Sequence, residues 1–250
     1  MNYESLQFWM MAFIRSSGLL AMTPVFSGKN IPVPVRLALA AFLAYAAGGT
    51  VKVHPPLPGD VMALALGAVH ELAIGLLMGM AIRIIFYAIE IAGQIVSTEM
   101  GLVMSAQIDP VSQNNSTSIG TALFYLGSLL FLLSGAHHAT FAAFVRSFEI
   151  SVPGAMGLDR SAGEVFVENT GNIFLIAVQM AAPLLATNFV VTLSFAILGK
   201  AAPSMNVFAE SFSVRIIAGL ALVGLTMGLT AQLVLSHVQR SPELMLRLIP

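Results

Sequence analysis

The triplet His70-Glu71-Leu72 opens like the HExxH helix of a zinc protease, in which two histidines one turn apart hold the metal and the glutamate activates water. Position 74 is Ile, so the second ligand is missing and the motif fails. His137 and His138 are adjacent. On a helix neighbouring side chains diverge by about 100°, which suits packing better than chelation of one metal. The chain has no cysteine, which removes disulfides, thiolate ligands and thiol nucleophiles. The "NNST" run holds glycosylation sequons of the kind that arise by chance. There is no GxSxG, no glycine-rich phosphate loop and no pair of aspartates within an apolar segment. Catalysis, a cofactor and a bound metal are therefore not expected.

What remains is charge in the wrong solvent. Hydrophobic residues make up 57% of the 250 and charged residues 9%, against about 25% charged in a soluble domain. A soluble chain of this length has too little interior for so much apolar surface, so lipid or other protein must supply the rest. The net charge of −1 offers no electrostatic case for nucleic acid. Within the apolar segments stand Arg15, Glu71, Arg83, Glu90, Glu99, Arg146, Glu149, Glu168, Glu210 and Arg215. An ionised side chain at a bilayer centre costs from about 2.5 to more than about 10 kcal/mol. Those near helix ends can snorkel. Arg15, Glu90 and Arg215 lie furthest from any break, and stand as buried charge partners or as parts of a solute pathway.

The elements that must carry these residues read as about six apolar blocks bounded by Pro, Gly or polar residues. They run from about Leu6 to Phe26, Val35 to Val51, Val61 to Met104, Ile119 to Ile150, Val165 to Leu198 and Val207 to Val238. "TPVFSGKNIPVPVR" and "KVHPPLPGD" separate the first three, because proline cannot continue a helix. The third block is too long for one span of a hydrocarbon core about 30 Å thick. It must be two helices, a bent helix, or one that leaves the bilayer. The fourth is weakened at "SGAHHA". The N-terminus lacks the basic start and small-residue cleavage site of a secretory signal. Lys and Arg are too evenly divided between alternating loops for the positive-inside rule to set an orientation. No internal repeat is visible, and residues 1–250 read as a single membrane-embedded, all-α domain.

Two GxxxG pairs, Gly75 with Gly79 and Gly224 with Gly228, can let helix backbones approach closely. The fourteen methionines fill irregular contacts. Between the third and fourth blocks stands "GLVMSAQIDPVSQNNSTSIG", a polar interruption flanked by hydrophobic segments. Two classes of function fit: a secondary transporter with a substrate path at broken helices, or a non-catalytic component of a multi-subunit membrane channel. A transporter predicts two related halves, which are absent, so the channel component is favoured.

Four stretches in order resemble the FliR/SctT family, the export-gate subunit of flagellar and virulence type III secretion. "IRSSGLLAMTPVFSGKNIPVPVRLALA" carries the family's Arg, then a "TP" step, then proline and Arg at Arg15, Pro24, Pro32 and Arg36. "GLLMGMAIRIIFYAIEIAGQIVSTEMGLVMSAQIDPVSQNN" is similar to its "AGQ…MGL…DP" region. "LLFLLSGAHHATFAAFVRSFEISVPGA" and "AAPLLATNFVVTLSFAILGKAAPSMNVF" complete the series. Lys200, Ser204 and the "ESFS" that follows depart from the family's pattern. The form of the "MGL…DP" region resembles the flagellar branch, with the virulence branch as the alternative and a stand-alone transporter further behind.

The resemblance implies long, partly broken or kinked helices packed as hairpins inside a larger helical ring. FliP-like and FliQ-like subunits would complete the ring, FlhB-like and FlhA-like components would stand beside it, and unfolded proteins would be the cargo. It implies a bacterial inner-membrane location at the flagellar basal body, with much of the assembly on the periplasmic side. It also implies that Met104, Ser105, Ala106, Gln107, Ile108, Asp109, Pro110, Val111, Ser112, Gln113, Asn114 and Asn115 form a plug inside the channel. Arg15, Glu90 and Arg215 would then serve assembly.

Overall fold

The computed structural model describes residues 3–28, 31–50, 60–103, 117–151, 153 and 160–249. Among them are eight helices and no strand: α1 (Tyr3–Met22), α2 (Pro24–Ser27), α3 (Val33–Thr50), α4 (Val61–Glu99), α5 (Ser118–Leu133), α6 (Ala136–Ile150), α7 (Arg160–Ala201) and α8 (Val207–Arg247). The all-α membrane architecture expected from the sequence is present. Among the described residues four helices are long and apolar enough to cross a membrane, and α5 with α6 would make a fifth if they form one broken span.

Six blocks become eight helices because two blocks break. Thr23 takes an extended conformation (φ −68°, ψ 116°) ahead of Pro24, which starts α2, as the steric demand of a following proline requires. Gly135 takes φ 74° and begins α6, a left-handed conformation that glycine adopts without a Cβ penalty. The over-long third block stays a single helix: α4 holds 39 residues, about 58 Å at 1.5 Å per residue. It ends where Gly101 turns at φ 78°. Pro183 and Pro242 lie inside α7 and α8.

The chain divides into two compact units. The first comprises Met1–Ile85, Phe131–Thr170 and His237–Pro250. In it α3 lies along α1, and the Ser16 hydroxyl donates to the Ala40 carbonyl at 2.9 Å. Phe8 packs on Phe148 at 5.3 Å between ring centroids, and Phe148 on Phe144 at 5.2 Å. Glycines bring α1 onto α4. A Cβ at Gly75 would collide with the Arg15 backbone carbonyl, one at Gly79 would stand 2.6 Å from the Leu19 carbonyl oxygen, and one at Gly18 would stand 2.9 Å from that of Leu72.

The second unit comprises Phe86–Leu130 and Gly171–Ser236. Val96, Met100, Ala181 and Leu184 form its buried centre, with Ile95, Leu185 and Leu222 packed around them. Here α4 and α5 meet glycine to glycine, since a Cβ on Gly93 would collide with Gly120. The Thr117 hydroxyl donates to the Gly93 carbonyl at 3.4 Å across that crossing.

Candidate functional site

In the first unit, a polar cluster grows from the α1–α4 contact. Gly75 and Gly79 place one face of α4 against α1, and Glu71 continues that face one turn earlier. Opposite it stands Arg15, fully buried, as is Glu71. The pairing is bidentate: Arg15 Nε donates to Glu71 Oε2 at 2.5 Å and Nη2 donates to Oε1 at 2.9 Å. Arg15 Nη1 donates to Ser147 Oγ at 2.9 Å, and Nη2 also donates to the Ser151 carbonyl at 3.1 Å. The guanidinium carbon lies 4.2 Å from the centroid of the Phe148 ring. The Ser147 hydroxyl in turn donates a hydrogen bond to the Phe144 carbonyl at 2.6 Å. Each of the three nitrogens of a group that is never neutral in proteins thus has an acceptor. The planar guanidinium fork is suited to this arrangement, which an ammonium would not reproduce. The cluster binds α1, α4 and α6 together.

In the second unit, a different cluster joins the end of α4 to α7 and α8. Asn188 Nδ2 makes a short contact with Glu99 Oε2. Arg215 Nη2 donates to Thr192 Oγ1 at 3.1 Å, and Thr192 Oγ1 donates to the Asn188 carbonyl at 2.7 Å. Glu99 and Arg215 are half-buried, whereas Asn188 is 9% exposed. Asn188 Oδ1 and Arg215 Nε are buried without a partner among the described residues. A cavity of about 10 Å³ touches Glu99, Asn188 and Arg215, about the room one water needs. A buried polar atom left unpaired costs about 1–3 kcal/mol, so this cluster is incomplete within the chain.

The remaining candidate residues divide by location. Glu90 is half-buried on α4, and among the three charges singled out above only Arg15 is enclosed by this chain alone. Gly75 and Gly79 lie in the α1–α4 contact. Gly224 and Gly228 are exposed, with nothing within 4 Å of where a Cβ would stand. Met104, Ser105, Ala106, Gln107, Ile108, Asp109, Pro110, Val111, Ser112, Gln113, Asn114 and Asn115 lie outside the described residues. The two adjacent histidines correct the divergence expected of neighbours on a helix. At the very start of α6 their rings sit 3.9 Å apart at 38°, and the His137 ring also lies near Phe131 and Phe141. Among the described residues no group of three His, Cys, Asp or Glu is placed to hold a metal. Glu71 is the residue the sequence reading did not single out for a role. Its position four residues before Gly75, on the face that the GxxxG pair defines, was the available signal.

Residues 6–241 match the family described as bacterial export proteins, family 1. The chain belongs to that family. It is 30% identical to the flagellar biosynthetic protein FliR of Bacillus subtilis over 211 residues, covering 83% of this chain and 81% of the relative. It is 27% identical to FliR of Caulobacter vibrioides over 218 residues, 87% of each chain. The Yop proteins translocation protein T of Yersinia pestis is 30% identical over 219 residues, 84% of this chain and 82% of that one. As a bacterial export protein with four or five helices able to cross a membrane, the chain is a membrane component of a type III export apparatus.

Proposed function

We propose that this chain is a non-catalytic subunit of the flagellar type III export gate, helping to form and plug the channel through which unfolded flagellar proteins leave the cell. The observation that carries this reading is the family match across residues 6–241, together with FliR relatives aligned over more than four-fifths of the chain. The surface agrees with it. Phe189, Val190, Leu193, Ile197, Ile217 and Leu225 are all exposed, and apolar helices of this kind need lipid or neighbouring subunits to cover them. The virulence-type gate is the second reading, supported by the 30% identity to the Yersinia protein.

In the flagellar reading the neighbours are FliP-like and FliQ-like subunits, with FlhB-like and FlhA-like export components beside them. The site is the inner membrane at the basal body, with much of the assembly on the periplasmic side. Residues 104–115 serve as the plug, and Glu90 and Arg215 serve assembly, whereas Arg15, enclosed by this chain, holds the chain's own fold. Polar residues at channel depth are tolerable where they line a cavity or are buried in protein. Affinity purification of the natively expressed chain in mild detergent, followed by mass spectrometry, tests the reading. Two small helical membrane proteins in several copies per chain are expected, and their identity separates flagellum from virulence system. A monomer or simple homodimer in every detergent would overturn it. Deleting Gln107–Asn114 should leave the complex assembled and make resting cells leak ions; a tight membrane in that strain would remove the plug assignment.

A further inference from the structure

The second unit carries a permanent cation, Arg215, that no carboxylate pairs with among the described residues. Its Nη2 donates to Thr192 Oγ1. Glu99 lines the same small cavity, but its Oε2 is taken by Asn188 Nδ2 and it makes no ion pair with Arg215. Two buried atoms are left over, Arg215 Nε and Asn188 Oδ1. One water can accept from the first and donate to the second, yet it is neutral and leaves the guanidinium's charge unmet. Nor is that guanidinium walled in by the chain. Thr192 is exposed, and the neighbouring Phe189 and Leu193 on α7 and Val214 and Ile217 on α8 are exposed and apolar. A lone arginine in such a surface is costly unless an anion joins it.

Depth decides what can supply that anion. Arg215 stands eight residues beyond Val207, where α8 starts, and Thr192 nine residues before Ala201, where α7 ends. Both therefore lie about 12 to 14 Å along the helices from the α7–α8 connection. Lys200, Ser204, Asn206 and Glu210 gather at that connection and are all exposed, which marks it as the polar end, where lipid headgroups would stand. By bonding to Thr192 the guanidinium stays at its own level instead of snorkelling toward that end. A headgroup phosphate is then out of reach. A carboxylate carried on an apolar helix arrives at this level, and its two oxygens match the planar fork of arginine. We propose that Arg215, backed by Thr192 and Asn188, is a socket for an aspartate or glutamate on an apolar helix of a neighbouring subunit, packed over Phe189, Leu193 and Ile217. The inference rests on the export-gate reading and adds to it the chemical class of the residue that the partner brings.

The test places a photo-crosslinking amino acid at Ile217 or Leu193, one position at a time, in the full complex in native membranes. Leu225, exposed and ten residues further along α8 than Arg215, is the control position. Mass spectrometry reads what each position captures. Ile217 and Leu193 should capture one helical segment of a partner that holds an aspartate or glutamate within a turn of the cross-linked residue. Arg215→Glu should reduce that capture at least about tenfold, the scale of losing a buried charge pair, with little change at Leu225. Replacing the partner's carboxylate by arginine in the Arg215→Glu background should restore it, which a merely structural role for Arg215 does not predict. Capture of lipid alone, a partner segment without a carboxylate, or a charge swap that restores nothing would overturn the proposal. The captured protein's identity judges the export gate separately. A carboxylate-bearing helix from a protein outside any export apparatus keeps the socket and rejects the gate; export subunits recovered in full, with only lipid at Ile217 and Leu193, reject the socket alone.

Discussion

The Arg15–Glu71 cluster and the Glu99–Asn188–Arg215 cluster both bury charge among apolar helices, and they do so in opposite ways. The first is closed: arginine and glutamate are each fully buried, and every nitrogen of the guanidinium has an acceptor supplied by this chain. The second is open: its charges are half-buried, and Asn188 Oδ1 and Arg215 Nε lack partners among the described residues. A closed cluster fixes the subunit's own fold. An open one retains hydrogen-bonding capacity that water or another subunit can use. The same distinction separates the two GxxxG pairs, since Gly75 and Gly79 are spent on α1 whereas Gly224 and Gly228 face outward.

The contrast can be broken most forcefully at Glu71. Glu71→Gln leaves a buried guanidinium without its counter-charge, and removal of one partner from such a pair costs about 3–5 kcal/mol. The variant is expected to lose most of its folded yield, measured by thermal unfolding in detergent. The double variant Arg15→Met/Glu71→Leu should lose much less than either single change. Gly75→Leu comes next, because its Cβ meets the Arg15 backbone rather than a movable side chain. Overpacking of this kind costs about 1–3 kcal/mol or more, read by the same melts. Asn188→Leu removes the unpaired Oδ1 together with the contact to Glu99. These effects oppose each other, so a change within about 1 kcal/mol is expected in the melt. Smallest of all, Gly224→Ala meets nothing within 4 Å and should shift the chain's own stability by about 0.5 kcal/mol or less. Any larger loss in the recovered complex then reports a partner helix on that face.

How far this contrast was legible in the sequence follows from its range. Helix boundaries are local: Thr23–Pro24 and Gly135 break apolar blocks through backbone sterics that the residue types announce. That Arg15 needs a partner is equally local, because an arginine mid-helix in an apolar block has no inexpensive solvent. Which residue answers it is not, since Glu71 lies 56 positions away and meets it only through packing of α1 on α4. The GxxxG spacing is identical at Gly75 and Gly224, so the motif alone does not tell an internal contact from an outward face. The groove between α4 and α5, lined by Glu90, Gln94, Thr117, Thr121, Phe124 and Tyr125, was hidden differently. Its residues are individually unremarkable, and they become a groove only when Gly93 and Gly120 bring the helices together. The fit of residues 6–241 to an export family was legible because four short patterns recur in a fixed order.

One comparison tests the central claim, that the closed cluster serves the subunit's fold and the open cluster serves its assembly. Glu71→Gln and Arg215→Gln are each measured twice, by melting of the purified chain and by recovery of partner subunits per chain. The account predicts that Glu71→Gln lowers the melting temperature by many degrees. Arg215→Gln should leave melting nearly unchanged while reducing partner recovery. Full partner recovery with Arg215→Gln, or an unaltered melt with Glu71→Gln, would contradict it.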